Sequence, residues 1–474
     1  MTDLLSKFAD AVKMFPDRTA IVNADGTGVS FFELQQRSGA LAAAWAGQGI
    51  TRGDSVLLAM GINSDLYASL AALWSLGATV VLPEPAMGLA GLKHAIRTTK
   101  VKAFCASGMY ACLKFIVPDL WTVPRLAMSG AIEGMGRNAS EPDDTALISF
   151  TSGTTGSPKA IPRSHRFLLA QNDAIAPLLD SDLEERDLVA FPVFALINLA
   201  AGRTSVLPNW KMSRLGTLGP ESLQDWIATQ NVTRVLLPPS LCEKLWKGAG
   251  ASGLRHIFTG GGPVFPDTLM QLQATLPKTE VTCVYGSTEA EPIAHLDRAQ
   301  ISDADFELMR GGAGLLVGHP TETTQVRIVD DEILVAGDHV NQGYLDSTHD
   351  ADNKVRDGED IWHRTGDAGR FDDDGRLWLL GRIGSDINLN DQQVFPFSVE
   401  VAVRQWDGVT TCALAAKNGV PVLVLEGDAT FINPWQTRAA QMGIGRVHHM
   451  DKIPMDRRHA SKVDRTALLR QLQA

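Results

Sequence analysis

The chain has 474 residues, with 43 Lys+Arg against 54 Asp+Glu, a formal charge of −11 and 45% apolar residues. At about 150 residues per domain this is enough for a few structural units with cores of their own, which excludes a peptide scaffold, a fibre and a disordered tail. The acidic balance and the lack of a dense Lys/Arg block argue against non-specific nucleic-acid binding, so an anionic substrate needs a local basic site.

Residues 1–15 alternate polar and apolar at helical spacing and lack the basic start and apolar run of a signal peptide. No stretch reaches about 18 consecutive apolar residues, so no membrane span is predicted. The cysteines Cys105, Cys112, Cys242, Cys283 and Cys412 are scattered without a CxxC pair, which fits a cytoplasmic protein in a reducing compartment. Helical spacing over 31–47 and 64–76 alternates with β-branched runs at 55–58 and 79–82, and this predicts an α/β fold with layered, largely parallel sheets. Further on, 256–258 reads as a strand entering a Gly260–Gly262 turn. A buried strand at 281–284 places Tyr285 and Gly286 at a strand end, where open α/β sheets bind ligands. Two hairpins follow, one about Asp330 and Asp331 and one over 366–380 with Asp372 to Gly375 as its turn, predicting a small antiparallel, β-barrel-like subdomain. Past Arg382 an irregular polar stretch, 384–393, leads into a mixed α+β segment. The domain boundary is placed there, giving units 1–382 and 383–474.

The stretch most suited to chemistry runs Thr151, Ser152, Gly153, Thr154, Thr155, Gly156, Ser157, Pro158, Lys159, entered from a short apolar strand at 148–150. Glycines let backbone N–H groups approach an anion, hydroxyls add donors and Lys159 adds a charge, a combination suited to a polyphosphate. The alternative is a polar surface loop; the spacing is not the GxxxxGK[ST] of a P-loop. This stretch resembles the TSGTTGxPKG signature of the adenylate-forming superfamily of acyl-CoA synthetases, luciferases and adenylation domains, with Ala160 replacing the last glycine. Further matches follow in order: Gly260-Gly261-Gly262-Pro263, Tyr285-Gly286-Ser287-Thr288-Glu289, Thr365-Gly366-Asp367, Gly381-Arg382 and Ser461-Lys462.

The resemblance implies ATP and Mg²⁺ as cofactors, activation of a carboxylic acid as its acyl-adenylate, and a mobile C-terminal lid. It also assigns roles. The residues from Thr151 to Lys159 hold phosphate, Gly261, Gly262, Pro263 and Gly286 border the nucleotide, and Tyr285 stacks on adenine. Thr288 contacts phosphate, Glu289 holds the metal, Asp367 takes the ribose hydroxyls, Arg382 makes a second ribose or phosphate contact, and Lys462 is the catalytic lysine. By composition alone Lys462 belongs to a solvated basic face. The acid-binding pocket draws on Phe191, Phe194 and Asn198, with core packing the alternative for the two phenylalanines.

The acceptor of the acyl group separates the branches of the superfamily: coenzyme A, a carrier-protein thiol or an internal hydroxyl. Many acyl-CoA synthetases carry a glycine nine residues beyond the arginine, near the thiol tunnel; here that residue is Asp391, with Glu400 supporting the register. Phe191-Pro192-Val193-Phe194-Ala195-Leu196 and Asp456-Arg457-Arg458-His459 are similar to the β-lactone synthetases of bacterial olefin biosynthesis, whose substrates are 3-hydroxy acids. Lactone formation and transfer to a thiol of coenzyme A, or of a carrier protein in a pathway, therefore both remain open. A non-catalytic nucleotide-binding homologue is disfavoured by the presence together of Lys159, Glu289, Asp367, Arg382 and Lys462.

Overall fold

The structure is a computed structural model, described for residues 3–129, 140–151, 158–248, 253–389, 391–417, 419–456 and 462–473. Its first helices start where the sequence supplies caps. The Asp3 carboxylate accepts from Ser6 N at 2.7 Å to open Leu4–Met14, and Ser30 and Glu33 close a reciprocal capping box on Phe31–Gly47.

The smaller of two main sheets has five strands, ordered Ala103–Ala106, Ser55–Ala59, Thr79–Val81, Thr145–Thr151 and Lys159–Ser164. All its pairs are parallel except the last, where Thr151 faces Lys159. The larger sheet has a parallel centre that includes Arg186–Val189, Arg234–Leu237, His256–Gly260 and Glu280–Ser287. It continues through Ala290–Asp297 and Leu315–Pro320 into the antiparallel hairpins expected from the sequence, and this pairing path ends at the strand Gln325–Val329. The helix Ser64–Ser75 is buried on every side from Leu66 onward. Its all-round apolar surface is what a helix needs inside a core. One apolar cluster joins Leu70 and Leu73 of that helix to Val56 and Val80 of the smaller sheet and to Val189, Leu236 and Phe258 of the larger.

The larger sheet also buries a charged pair. Arg234 and Asp187 face each other on adjacent parallel strands and form two bonds of 2.8 Å, with both side chains almost wholly buried. Without Asp187, the Arg234 charge keeps only the Leu179 carbonyl at 2.8 Å and Glu185 at 3.9 Å. Asp187→Ala is expected to cost about 3–5 kcal/mol of stability, read as a lower urea midpoint with an unchanged m-value.

Past Arg382 the expectation of an irregular stretch is corrected. Ile387–Leu389 pairs with Gln392–Val394 in a short hairpin, and Asp391 at its turn adopts φ +65°. Three-residue polar strands carry too little alternation to be read as strands. The remainder contains the helix Pro396–Val403 and the strands Val409–Lys417, Val420–Gly427 and Val447–His449, around apolar clusters of their own. Glu400 is buried among them, accepting from Leu414 N at 2.8 Å and from Arg465 at 2.7 Å. Arg404 reaches back to Glu243 at 2.7 Å and to Asp267 at 3.0 Å, and Phe397 lies 6.1 Å from Phe265 between ring centres.

Candidate active site

Two neighbouring parallel strands set the site. His256–Gly260 pairs with Glu280–Ser287 so that Gly260 lies opposite Val284, which brings the Gly261 turn and Tyr285 to one end of the sheet. The second strand runs further than the sequence suggests. It continues through Tyr285 and Gly286 to Ser287, which pairs with Ala290, so Thr288 and Glu289 form the tip of a hairpin. Glycine is needed at 286 because a Cβ there would lie 2.9 Å from Ala290 O. At Gly261, φ is +75° and a Cβ would come within 3.1 Å of the Phe191 ring. Gly262 and Pro263 follow in the same turn, both partly buried.

Around Tyr285 stands the first group of polar side chains. Its hydroxyl donates to Asp367 Oδ2 at 2.7 Å, and Arg382 Nη1 donates to Asp367 Oδ1 at 2.7 Å. Asp367 and Arg382 are cross-strand partners, and the adjoining Gly366 holds φ +70°, a conformation L side chains rarely adopt. Burial, with the Asp367 charge beside it, pushes the Tyr285 phenol well above its ordinary pKa. Burial opposes the charge on Arg382, and Asp367 more than offsets this, so the guanidinium stays protonated.

The second group surrounds Glu289. Tyr344 donates its hydroxyl to Glu289 Oε1 at 3.2 Å, and Asn341 N donates to Glu289 O at 2.7 Å. Thr288 is held through its carbonyl by Arg163 at 2.6 Å, and the buried Ser287 Oγ has no hydrogen-bond partner among the described residues. Lys159 bonds Asn353 at 3.0 Å and sits 5.2 Å from the Tyr344 ring centre; Lys354 sits 5.4 Å from the same ring and donates to Asn341 O. Burial pulls the Lys354 ammonium down to about 8, with Glu289 and Asp350 opposing the fall. His363, buried near it, is pushed down to about 3, first by burial and then by the Lys354 charge. Tyr344, Lys354, Asn341 and Asn353 were not picked out from the sequence. The available signal was the scarcity of tyrosine: of four in the chain, Tyr285 and Tyr344 are both here.

Beside these groups lies an apolar pocket, partly open to solvent, whose lining includes Ile175, Leu179, Phe191, Phe194, Phe258 and Val284. Asn198 is not in that lining. It is fully buried on the helix Pro192–Ala200, and its Nδ2 donates to Ser205 Oγ at 3.1 Å. One turn beyond Phe194, the helix has passed the cavity and runs against the strand Thr204–Val206. Thr151 and Lys159 pair across the entrance of the hydroxyl-rich stretch, while Ser152, Gly153, Thr154, Thr155 and Gly156 lie outside the described residues. Lys462 is exposed. Its backbone exchanges bonds with Asp456, and among the described residues no hydrogen bond or ion pair joins it to Glu289, Asp367 or Arg382.

An aromatic ring, a carboxylate and a guanidinium thus meet at one sheet end, next to two ammonium groups and an apolar pocket. The chain belongs to the AMP-binding enzyme family, whose model matches residues 8–345. It is similar to the olefin beta-lactone synthetase of Xanthomonas campestris pv. campestris, at 29% identity over 96% of this chain and 94% of that one. It is also similar to the salicyl-AMP ligase / salicyl-S-ArCP synthetase of Mycobacterium tuberculosis, at 27% identity over 98% and 90%. Among solved structures, the o-succinylbenzoate coenzyme A synthetase of Bacillus subtilis, in complex with ATP and magnesium ion, shares the fold. Its TM-score is 0.78 at 20% identity, covering 99% of both chains. Among the described residues no helix is long and apolar enough to cross a membrane.

Proposed function

We propose that this enzyme joins the carboxylate of an apolar acid to the α-phosphate of ATP, forming an acyl-adenylate and releasing pyrophosphate. The supporting observation is the convergence of the Tyr285–Asp367–Arg382 group, the Glu289–Lys159 group and the apolar cavity on the end of one strand, Glu280–Ser287. Tyr285 offers adenine a face, and Asp367 can accept from both ribose hydroxyls. Gly261, Gly262, Pro263 and Gly286 keep the approach clear, while Thr151, Thr288 and Lys159 serve the phosphates. The acid's tail enters the cavity between Phe191 and Phe194. An apolar lining favours an aliphatic or aromatic acid.

No group of three or more His, Cys, Asp or Glu able to hold a metal is found among the described residues. A single carboxylate suits Mg²⁺, which takes one or two protein oxygens and completes its shell with water and substrate phosphates. Glu289 fits that donor set, because Tyr344 bonds Oε1 and no hydrogen bond among the described residues takes Oε2. Bound there, Mg²⁺ would neutralise phosphate charge. Both reactants are anions, so alignment and charge neutralisation carry most of the acceleration.

Residues 1–382 are read as the nucleotide- and acid-binding domain and 383–474 as a lid that rotates to deliver Lys462. For the second step, the β-lactone synthetase likeness over nearly the whole chain and the acidic Asp391 near the expected thiol path favour closure by the acid's own 3-hydroxyl. That oxygen attacks the acyl carbon, its proton passes to solvent, and the bond from the acyl carbon to the AMP oxygen breaks to release AMP; as an internal nucleophile the hydroxyl has a high effective concentration. Transfer to coenzyme A or to a carrier-protein thiol is the second reading, favoured by the likeness to a carrier-loading synthetase. Pyrophosphate release with a panel of carboxylic acids tests the first step. Mass spectrometry of products from 3-hydroxy and plain fatty acids, with and without coenzyme A, tests the second. A mass lower by one water for the 3-hydroxy acid alone is expected, and a thioester mass would select the second reading.

A further inference from the structure

Tyr344 makes an unusual set of contacts for one side chain. Its hydroxyl holds Glu289 at 3.2 Å, while its ring lies within reach of two ammonium groups, Lys159 at 5.2 Å and Lys354 at 5.4 Å. These come from separate parts of the chain: Glu289 from a hairpin tip, Lys159 from the first residue of a strand in the other sheet, and Lys354 from the start of the strand Lys354–Asp357.

The loop that carries Tyr344 is itself pinned from three sides. Asn341 N donates to Glu289 O, Tyr344 N donates to Asp350 Oδ1 at 2.9 Å, and Leu345 N donates to Ala160 O at 3.0 Å. Asn341 O takes the Lys354 ammonium. The tyrosine is therefore held in place by the groups it organises. A carboxylate that accepts a phenol on one oxygen loses the freedom to turn, and its other oxygen keeps one direction.

We propose that Tyr344 is a positioning residue for the metal-nucleotide. Through its hydroxyl it fixes the Glu289 carboxylate, and through its ring it keeps the ammonium groups of Lys159 and Lys354 beside that carboxylate. The carboxylate and the two cations thereby act as one unit toward Mg²⁺ and the terminal phosphates. This rests on the reading of Glu289 as the metal-binding residue.

Tyr344→Phe separates the two parts, since it removes the hydroxyl and keeps the ring. ATP binding is followed by calorimetry without any carboxylic acid, across Mg²⁺ concentrations and in EDTA, with thermal melting to show that the variant is folded. The Mg²⁺ concentration at half-saturation is expected to rise about tenfold, the worth of a hydrogen bond to a charged group, while affinity for metal-free ATP stays at the wild-type value. Lys354→Met is expected to show the opposite split, a several-fold loss of affinity for metal-free ATP, as loss of a desolvated cation implies. An unchanged Mg²⁺ demand in folded Tyr344→Phe would overturn the proposal, and so would equal losses with and without metal, which would mark a general distortion. A wild-type protein whose ATP binding ignores Mg²⁺ would instead remove the metal reading of Glu289, and this proposal with it.

Discussion

Replacing Lys462 by alanine is expected to leave the protein folded and able to bind ATP while cutting pyrophosphate release by roughly 10²–10³-fold, the cost of deleting one charge-stabilising donor from a transition state. The side chain stands in solvent on a bend just before Val463, which bridges to Met455, so its removal leaves no cavity and breaks no side-chain hydrogen bond or ion pair among the described residues. On the reading proposed above, the effect comes from a second arrangement, in which the segment after Arg382 turns toward Glu289 and Asp367. ATP affinity by calorimetry and turnover by pyrophosphate release separate the two contributions. Wild-type turnover in this variant would remove the lysine from the mechanism.

Asp367→Ala is expected to weaken ATP binding about 100-fold, the combined worth of two charge-assisted ribose bonds, with inorganic pyrophosphate bound as before. The carboxylate also holds the Tyr285 hydroxyl and the Arg382 guanidinium at 2.7 Å each, so its loss unties the ring expected under adenine as well. Comparing ATP with pyrophosphate in one titration series distinguishes a lost ribose contact from a collapsed site. Equal weakening of both ligands would count against the ribose assignment.

Much of this arrangement can be read from residue order, and the misreadings have physical causes. The helix Phe31–Gly47 is legible because its cap, Ser30 with Glu33, is local. The hairpin at Asp330 and Asp331 is legible because its turn residues stand between alternating strands, and both adopt positive φ. Gly286 misleads. In a sequence it ends a strand, whereas here the absent Cβ lets two strands approach closely and the strand continues to the tip that carries Glu289. Asn198 misleads in another way: helical spacing puts it on the face of Phe194, but not at the depth of the cavity. Tyr344 and Lys354 are hidden because the meaning of Tyr344 lies in partners far along the chain, Glu289 and Lys159, and that of Lys354 lies in the Tyr344 ring.

Asp391 bears on how such enzymes diverge. At φ +65° its backbone already follows a path that glycine takes without strain, and its N–H is anchored on Asn388 Oδ1 at 3.0 Å. Exchanging its side chain for a hydrogen would alter bulk and charge at the hairpin turn without rerouting the main chain. Aspartate and glycine codons differ by a single nucleotide. If this residue governs which nucleophile is admitted, a lineage could switch acceptors by a point substitution, with no insertion, deletion or refolding in between.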